Sequence, residues 1–144
     1  MGQLLVTAED GAVTALHPTD APPQPSDDPV LRDCERELQA YFAGALRRFT
    51  VPLQPGGTPF QQTVWQAITT IPYGVTVTYG DVARAIGKPG AARAVGQAIH
   101  RNPVCILIPC HRVIGAHGFV SGYAWGPEVK ARLLALERAR VRPD

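Results

Sequence analysis

Cys110, His111 and Arg112 follow Pro109 and put a thiol, an imidazole and a guanidinium in consecutive positions. A thiol acts as a nucleophile only after losing its proton, and nearby imidazole and guanidinium groups favour the thiolate. Neighbours in a strand point to opposite faces. Cys110 and His111 therefore cooperate only if the chain turns there, or through a water. Glu137 follows Leu133 by four and lies on or beside an apolar face, where a carboxylate needs a partner. His111 is a candidate, because a histidine base is normally oriented by a third group. The plainer reading has a structural thiol and a Glu137 solvated near Arg138 and Arg140.

A second constellation lies upstream. Ala91, Ala92, Ala94, Gly96 and Ala98 make a helix of small residues that allows close approach to another surface. Arg93 and Gln97 share a face at i, i+4. A small-residue helix with an arginine at its start suits insertion into a DNA groove. The plainer alternative packs the alanines on a neighbouring helix and leaves Arg93 in solvent.

These groups need elements to hold them. Gln3–Thr7 and Ala12–Leu16 flank an Asp-Gly turn signal and predict a β-hairpin. Residues 17–29 hold five prolines and read as a loop. A helix is expected from about Val30 to Gly44, with Leu31, Cys34, Leu38, Tyr41 and Phe42 on one face. On that face Cys34 reads as a buried apolar residue. Phe49–Gly57 reads as a linker. Thr58, Pro59 and Gln61 form a capping box before a helix whose apolar face is Phe60, Val64, Ala67 and Ile68. After Pro72-Tyr-Gly74 and a β-prone Val75–Thr78, two short helices, Tyr79–Gly87 and Ala91–His100, form a helix-turn-helix candidate. Val104–Ile108 reads as a strand and Cys105 as structural. Residues 112–120 read as a hairpin wing, residues 121–126 as a loop that can close over a flat ring, and Pro127 starts a final helix with Val129, Leu133, Leu134 and Leu136 on its apolar face.

Composition bounds the rest. The chain has 144 residues, enough for a core without disulfide or metal staples. Its three cysteines lack CxxC spacing, which disfavours a disulfide framework or a zinc site and points to a reducing compartment. No apolar run spans a bilayer and no signal pattern opens the chain. The net charge of +2 divides into −4 over residues 1–57 and +6 over residues 58–144. A basic second part suits a polyanion, most often nucleic acid, although a chance imbalance on a solvated surface reads equally well.

Ile108-Pro-Cys-His-Arg-Val113 resembles the active-site signature of the 6-O-alkylguanine-DNA alkyltransferases, also called methylated-DNA–protein-cysteine methyltransferases. Companion blocks occur in the same order: Thr58–Trp65, Ile71–Gly74, Ala91–Gly96, Asn102-Pro103, Gly122-Tyr123 and Leu133–Glu137. The resemblance implies an α/β (α+β) fold. A small β-hairpin and helix domain of reduced ribonuclease-H-like type over residues 1–57 would precede a winged helix-turn-helix-like domain over 58–144. The first part is short for the family and is expected to lack the initial strand before the hairpin.

The resemblance also implies roles. Cys110 matches the alkyl acceptor, His111 the base acting through a bound water, and Glu137 the residue that orients and charges His111. Asn102 matches the residue tying the helix end to the active-site turn. Tyr79 matches the tyrosine that helps rotate the nucleotide out and donates to the guanine ring. Arg93 matches the finger that fills the vacated base stack, on a helix whose Ala91, Ala92, Gly96 and Gln97 face the minor groove. Ile99, the Val113 backbone, Tyr123, Ala124 and Trp125 match the guanine pocket. Trp125 stands where many relatives carry glycine and is expected to narrow the pocket.

The implied reaction is a stoichiometric transfer from double-stranded DNA, with no cofactor and no metal. The implied protein is a monomer, cytoplasmic or nuclear and off the membrane, with modest salt dependence. Three other readings differ. A non-catalytic lesion binder would replace the acceptor cysteine. A winged-helix regulator would need no Pro-Cys-His-Arg turn, and a cysteine hydrolase would need an oxyanion loop.

Overall fold

The computed structural model describes residues 2–116 and 123–140, apart from the side chains of residues 139 and 140. The chain divides into two compact units, one of Met1–Gly56 with Pro103–Cys105 and one of Gly57–Asn102 with Ile106–Asp144.

In the first unit, β1 (Leu4–Glu9) pairs antiparallel with β2 (Ala12–Pro18). Asp10 and Gly11 both take positive φ, 51° and 79°, as a two-residue Asp-Gly hairpin turn requires. Helix α1 (Pro29–Phe42) starts with Pro29 and is capped by Asp28, whose side chain accepts from the Val30 amide. Its buried stripe is Val30, Cys34, Glu37, Leu38 and Tyr41, so Val30 and Glu37 replace the expected Leu31 and Phe42. Glu37 is buried because it has partners: its carboxylate accepts from the Thr50 amide and hydroxyl and from the Val51 amide. Burial and the neighbouring Glu37 push the Cys34 thiol up to about 11, which fits an inert core residue.

The expected linker at 49–57 is no free tether over its central part. The Val13 amide donates to the Pro52 carbonyl at 2.8 Å and the Gln54 amide to the Val13 carbonyl at 2.8 Å. Residues 52–54 thus run alongside β2. On β2, Leu16 makes a parallel bridge to Val104.

The second unit is mainly helical. Helix α2 (Pro59–Thr69) opens with the complete Thr58/Gln61 capping box. Its core residues are Val64, Trp65 and Ile68. Trp65 is therefore central to the face, while Phe60 and Ala67 are only half-buried. The Trp65 indole donates to the Ala98 carbonyl at 2.9 Å. Strand β3 (Val77–Thr78) leads directly into α3 (Tyr79–Ala85), which packs with α2 against α4 (Ala92–His100). Ala98 is buried on the inner side of α4, so it is not among the small residues offered outward.

The run Val104–Ile108 is not a strand. The chain turns at Ile106, a β-branched residue at φ +77°. Such a conformation costs on the order of 1–3 kcal/mol. Ile106 is buried, and burying an isoleucine side chain returns roughly 1.5–3 kcal/mol, enough to hold the turn. A tight 3-10 turn, Cys110–Arg112, follows. Then β4 (Val113–Ile114) pairs in parallel with β3. Residues 117–120, which would complete the hairpin of the expected wing, and Ser121 and Gly122 lie outside the described residues. Helix α5 (Pro127–Arg140) packs on the Cys110–Arg112 turn.

Candidate active site

The turn that the Cys110–His111 pair requires is present. The Cys110 amide donates to the Ile108 carbonyl at 2.7 Å, the Arg112 amide to the Pro109 carbonyl at 3.0 Å, and the Val113 amide to the Cys110 carbonyl. Asn102, just past α4, donates its side-chain amide to the same Ile108 carbonyl at 2.9 Å. That bond anchors the chain immediately before the nucleophile.

Cys110, His111 and Arg112 are all buried, with His111 at 0% exposure. His111 Nε2 lies 2.6 Å from Glu137 Oε2. Arg112 grips the same carboxylate, Nε to Oε1 and Nη2 to Oε2, each at 2.9 Å. The Gly74 amide donates to Glu137 Oε1 at 3.3 Å. Glu137 is thus a buried hub, not a solvated surface residue. With Nε2–H donating to Glu137, His111 keeps the lone pair on Nδ1. That buried atom has no hydrogen-bond partner among the described residues. Burial depresses the His111 pKa below its ordinary 6.5, Glu137 works in the opposite direction, and the Arg112 and Lys130 charges depress it further. The imidazole is thereby biased toward its neutral, proton-accepting form.

Lys130 is a feature that sequence reasoning missed. It is 1% exposed, donates to the Val113 carbonyl at 2.6 Å and lies 6.0 Å from the Tyr79 ring centre. Burial lowers its pKa, and Cys110 pulls it back up, so the ammonium lies within electrostatic reach of the Cys110 sulfur. The signal was present in the spacing: Lys130, Leu133, Leu134 and Glu137 form the buried i, i+3, i+4, i+7 stripe of α5, whereas Val129 and Leu136 are only half-buried. Val113, expected to offer its backbone to a base, already shares its carbonyl with Lys130 and its amide with Cys110.

Tyr79 is the first residue of α3, and the β3–β4 ladder sets it beside the chain leaving the Cys110 turn. Burial raises its hydroxyl pKa, and Cys110 raises it further. Tyr79, Arg93, Gly96, Gln97, His100 and Arg101 line an open groove of about 530 Å³. A Cβ at Gly96 would sit 3.7 Å from the Tyr79 ring, an ordinary van der Waals contact, so the groove would also accept alanine there. Arg93 and Gln97 are exposed, Ala91 and Ala92 are half-buried at the helix start, and Ile99 is buried. Tyr123 is buried and Trp125 meets it edge to face at 6.1 Å, while Ala124 is exposed. His100 and Arg101 are groove residues that the sequence reading did not single out.

Among the described residues, no group of three or more His, Cys, Asp or Glu is placed to hold a metal ion. No described helix is long and apolar enough to cross a membrane.

Residues 59–139 match the DNA binding domain of 6-O-methylguanine DNA methyltransferase, and residues 1–55 match its ribonuclease-like domain. The methylated-DNA–protein-cysteine methyltransferase of Mycobacterium leprae is 45% identical over 147 residues, covering 98% of this chain and 89% of that protein. The crystal structure of the Mycobacterium tuberculosis O6-methylguanine methyltransferase is similar with a TM-score of 0.87 at 45% identity, over 99% of this chain and 90% of that one. A structure of Mycobacterium tuberculosis OGT in complex with DNA gives 0.86 at 46% identity, over 96% of this chain and 88% of the other. Fold and matches together define a DNA-binding methyltransferase that acts in DNA repair. The chain belongs to the methylated-DNA–protein-cysteine methyltransferase family.

Proposed function

We propose that this protein removes a methyl or small alkyl group from the 6-oxygen of guanine in double-stranded DNA and keeps it on Cys110. The observation that carries this reading is the buried turn in which Cys110 adjoins a His111 oriented by Glu137 at 2.6 Å, with Nδ1 left as acceptor. A water at Nδ1 relays the Cys110 proton to His111. The thiolate attacks the alkyl carbon, a carbon–sulfur bond forms and the carbon–oxygen bond breaks. The guanine leaves with the electron pair, and the Tyr79 hydroxyl donates to its ring. A thioether is not readily cleaved, so each molecule acts once.

The target carbon is out of reach inside a duplex, which requires base flipping. The exposed Arg93 and Gln97, with Ala91, Ala92 and Gly96, support a minor-groove approach by α4, with Arg93 filling the vacated stack. Asn102 steadies the turn, and Ile99, Val113, Tyr123, Ala124 and Trp125 form the base pocket. Residues 1–57 are read as the short N-terminal domain and 58–144 as the DNA-binding and acceptor domain, in a cytoplasmic or nuclear monomer.

The test uses an oligonucleotide carrying 6-O-methylguanine. The tryptic peptide bearing Cys110 is expected to gain one methyl, and Cys110→Ala to gain none. Tight binding without a mass change would instead favour a lesion-recognition protein.

A further inference from the structure

Arg112 has a place in the site that its neighbours' roles leave unexplained. Its guanidinium is buried and bonded through each of its three nitrogens: Nε and Nη2 grip the two oxygens of Glu137, and Nη1 donates to the Ile71 carbonyl at 2.7 Å. The Tyr73 ring lies 5.8 Å away. Oε2 of Glu137 is shared, because it also accepts a hydrogen bond from His111 Nε2–H. A buried glutamate facing only a histidine would draw that histidine into an imidazolium–carboxylate pair. Both ring nitrogens would then carry protons, and no lone pair would remain to accept one from a thiol.

We propose that Arg112 is a positioning residue for proton transfer: its two-pronged bridge neutralises Glu137, so that the carboxylate orients His111 without protonating it. The proposal rests on the reading of His111 as the base. The other groups facing His111 agree with it. From α5 come Glu137, which favours the imidazolium, and Lys130, which opposes it. From its own turn come Cys110 and Arg112, and from α3 comes Tyr79 beside Cys110. Helix α2 carries no titratable side chain, and the segment after it contributes Tyr73 against Arg112. Arg112 is therefore a cation that contacts the same carboxylate as His111, and its removal would take that charge away while leaving the Gly74 amide on Oε1 and Lys130 on the Val113 carbonyl.

The experiment is nitrogen-15 NMR of the histidine ring across pH 5 to 8.5, read beside the pH profile of the methyl-transfer rate. In the wild type, His111 is expected to be neutral and protonated on Nε2 at pH 7. In Arg112→Gln its midpoint should rise by about one pH unit or more, and the acid limb of the rate profile should move with it. The lost rate should return at higher pH. Arg112→Lys keeps a charge but not the fork, so its midpoint should rise by less than that of Arg112→Gln, with partial rescue of the rate at pH 7.

An imidazolium at pH 7 in the wild type would overturn the proposal. So would a folded Arg112→Gln or Arg112→Lys with an unchanged midpoint and a rate lowered equally at every pH, which is what a purely structural bridge predicts. Should Arg112→Gln not fold, the wild type and Arg112→Lys decide. The NMR titration needs no alkyl transfer, so it separates failure of this proposal from failure of the repair reading.

Discussion

Trp125 meets Tyr123 edge to face, with ring centres 6.1 Å apart and planes at 65°. In the proposed base pocket, an indole at this position would take volume that a glycine would leave to the alkyl group. A missing methylene-sized volume in an apolar pocket is worth roughly 10–200-fold in discrimination. Trp125→Gly should therefore raise the benzyl-to-methyl ratio of transfer rates by at least about tenfold, measured with paired oligonucleotides bearing either adduct. An unchanged ratio would mean that Trp125 does not limit the pocket. At this scale the sequence was most readable where chemistry demands a residue type. Cys110, His111 and Glu137 share one cluster, and Glu137 does find His111. Lys130 shares the spacing of the buried stripe of α5, but its burial was not readable, because a lysine amid leucines usually extends its charge into solvent. Its burial depends on the Val113 carbonyl and the Tyr79 ring, which the sequence holds far apart.

Helix α3 begins at Tyr79, so the helix start is also part of the site. Thr78 caps it: its hydroxyl accepts from the Asp81 amide at 3.0 Å, and the Asp81 carboxylate accepts from the Thr78 amide at 2.9 Å. These bonds from Thr78 are the main reason the Asp81 carboxyl is held below its ordinary value. Losing such a cap costs about 1 kcal/mol. Thr78→Ala should lower Tm by a few degrees and should also slow transfer, because the first turn that frays carries the Tyr79 hydroxyl. Thr78→Ser should restore both, and a Tm loss with an unchanged transfer rate would separate the cap from the chemistry. The Thr58 capping box and the Asp-Gly turn were legible because each is a local contract between neighbouring residues, whereas the Thr78 cap, with the same spacing to Asp81, was read as part of a β-prone stretch. The turn at Ile106 was not legible, since an apolar run has the same pattern whether it extends or bends inside a core. Nor was the pairing of residues 52–54 with β2, where a Pro-rich composition concealed a segment held by Val13.

Across the whole molecule, the burial of His111 couples the site to folding. Its folded pKa is depressed below the ordinary 6.5, with burial the leading cause. In the unfolded chain it titrates near 6.5, so below that pH the unfolded state binds a proton that the folded state refuses. Stability then falls as pH drops, by up to about 1.4 kcal/mol for each pH unit between the unfolded and folded pKa values. Above 6.5 both states are neutral and the dependence vanishes. Carboxylates bring their own losses at lower pH, so the diagnostic window lies just below 6.5 and above the usual carboxylate range. The measurement is the urea midpoint of the wild type and His111→Gln at half-unit steps from pH 5 to 8. The wild type should lose stability from about pH 6.5 downward, and His111→Gln should be flatter over that window whatever its absolute stability. Equal slopes in the two proteins would show that His111 takes its proton without unfolding cost. The resting imidazole would then be no more reluctant than one in water, and the neutral base that the buried network is argued to preserve would lose its thermodynamic support.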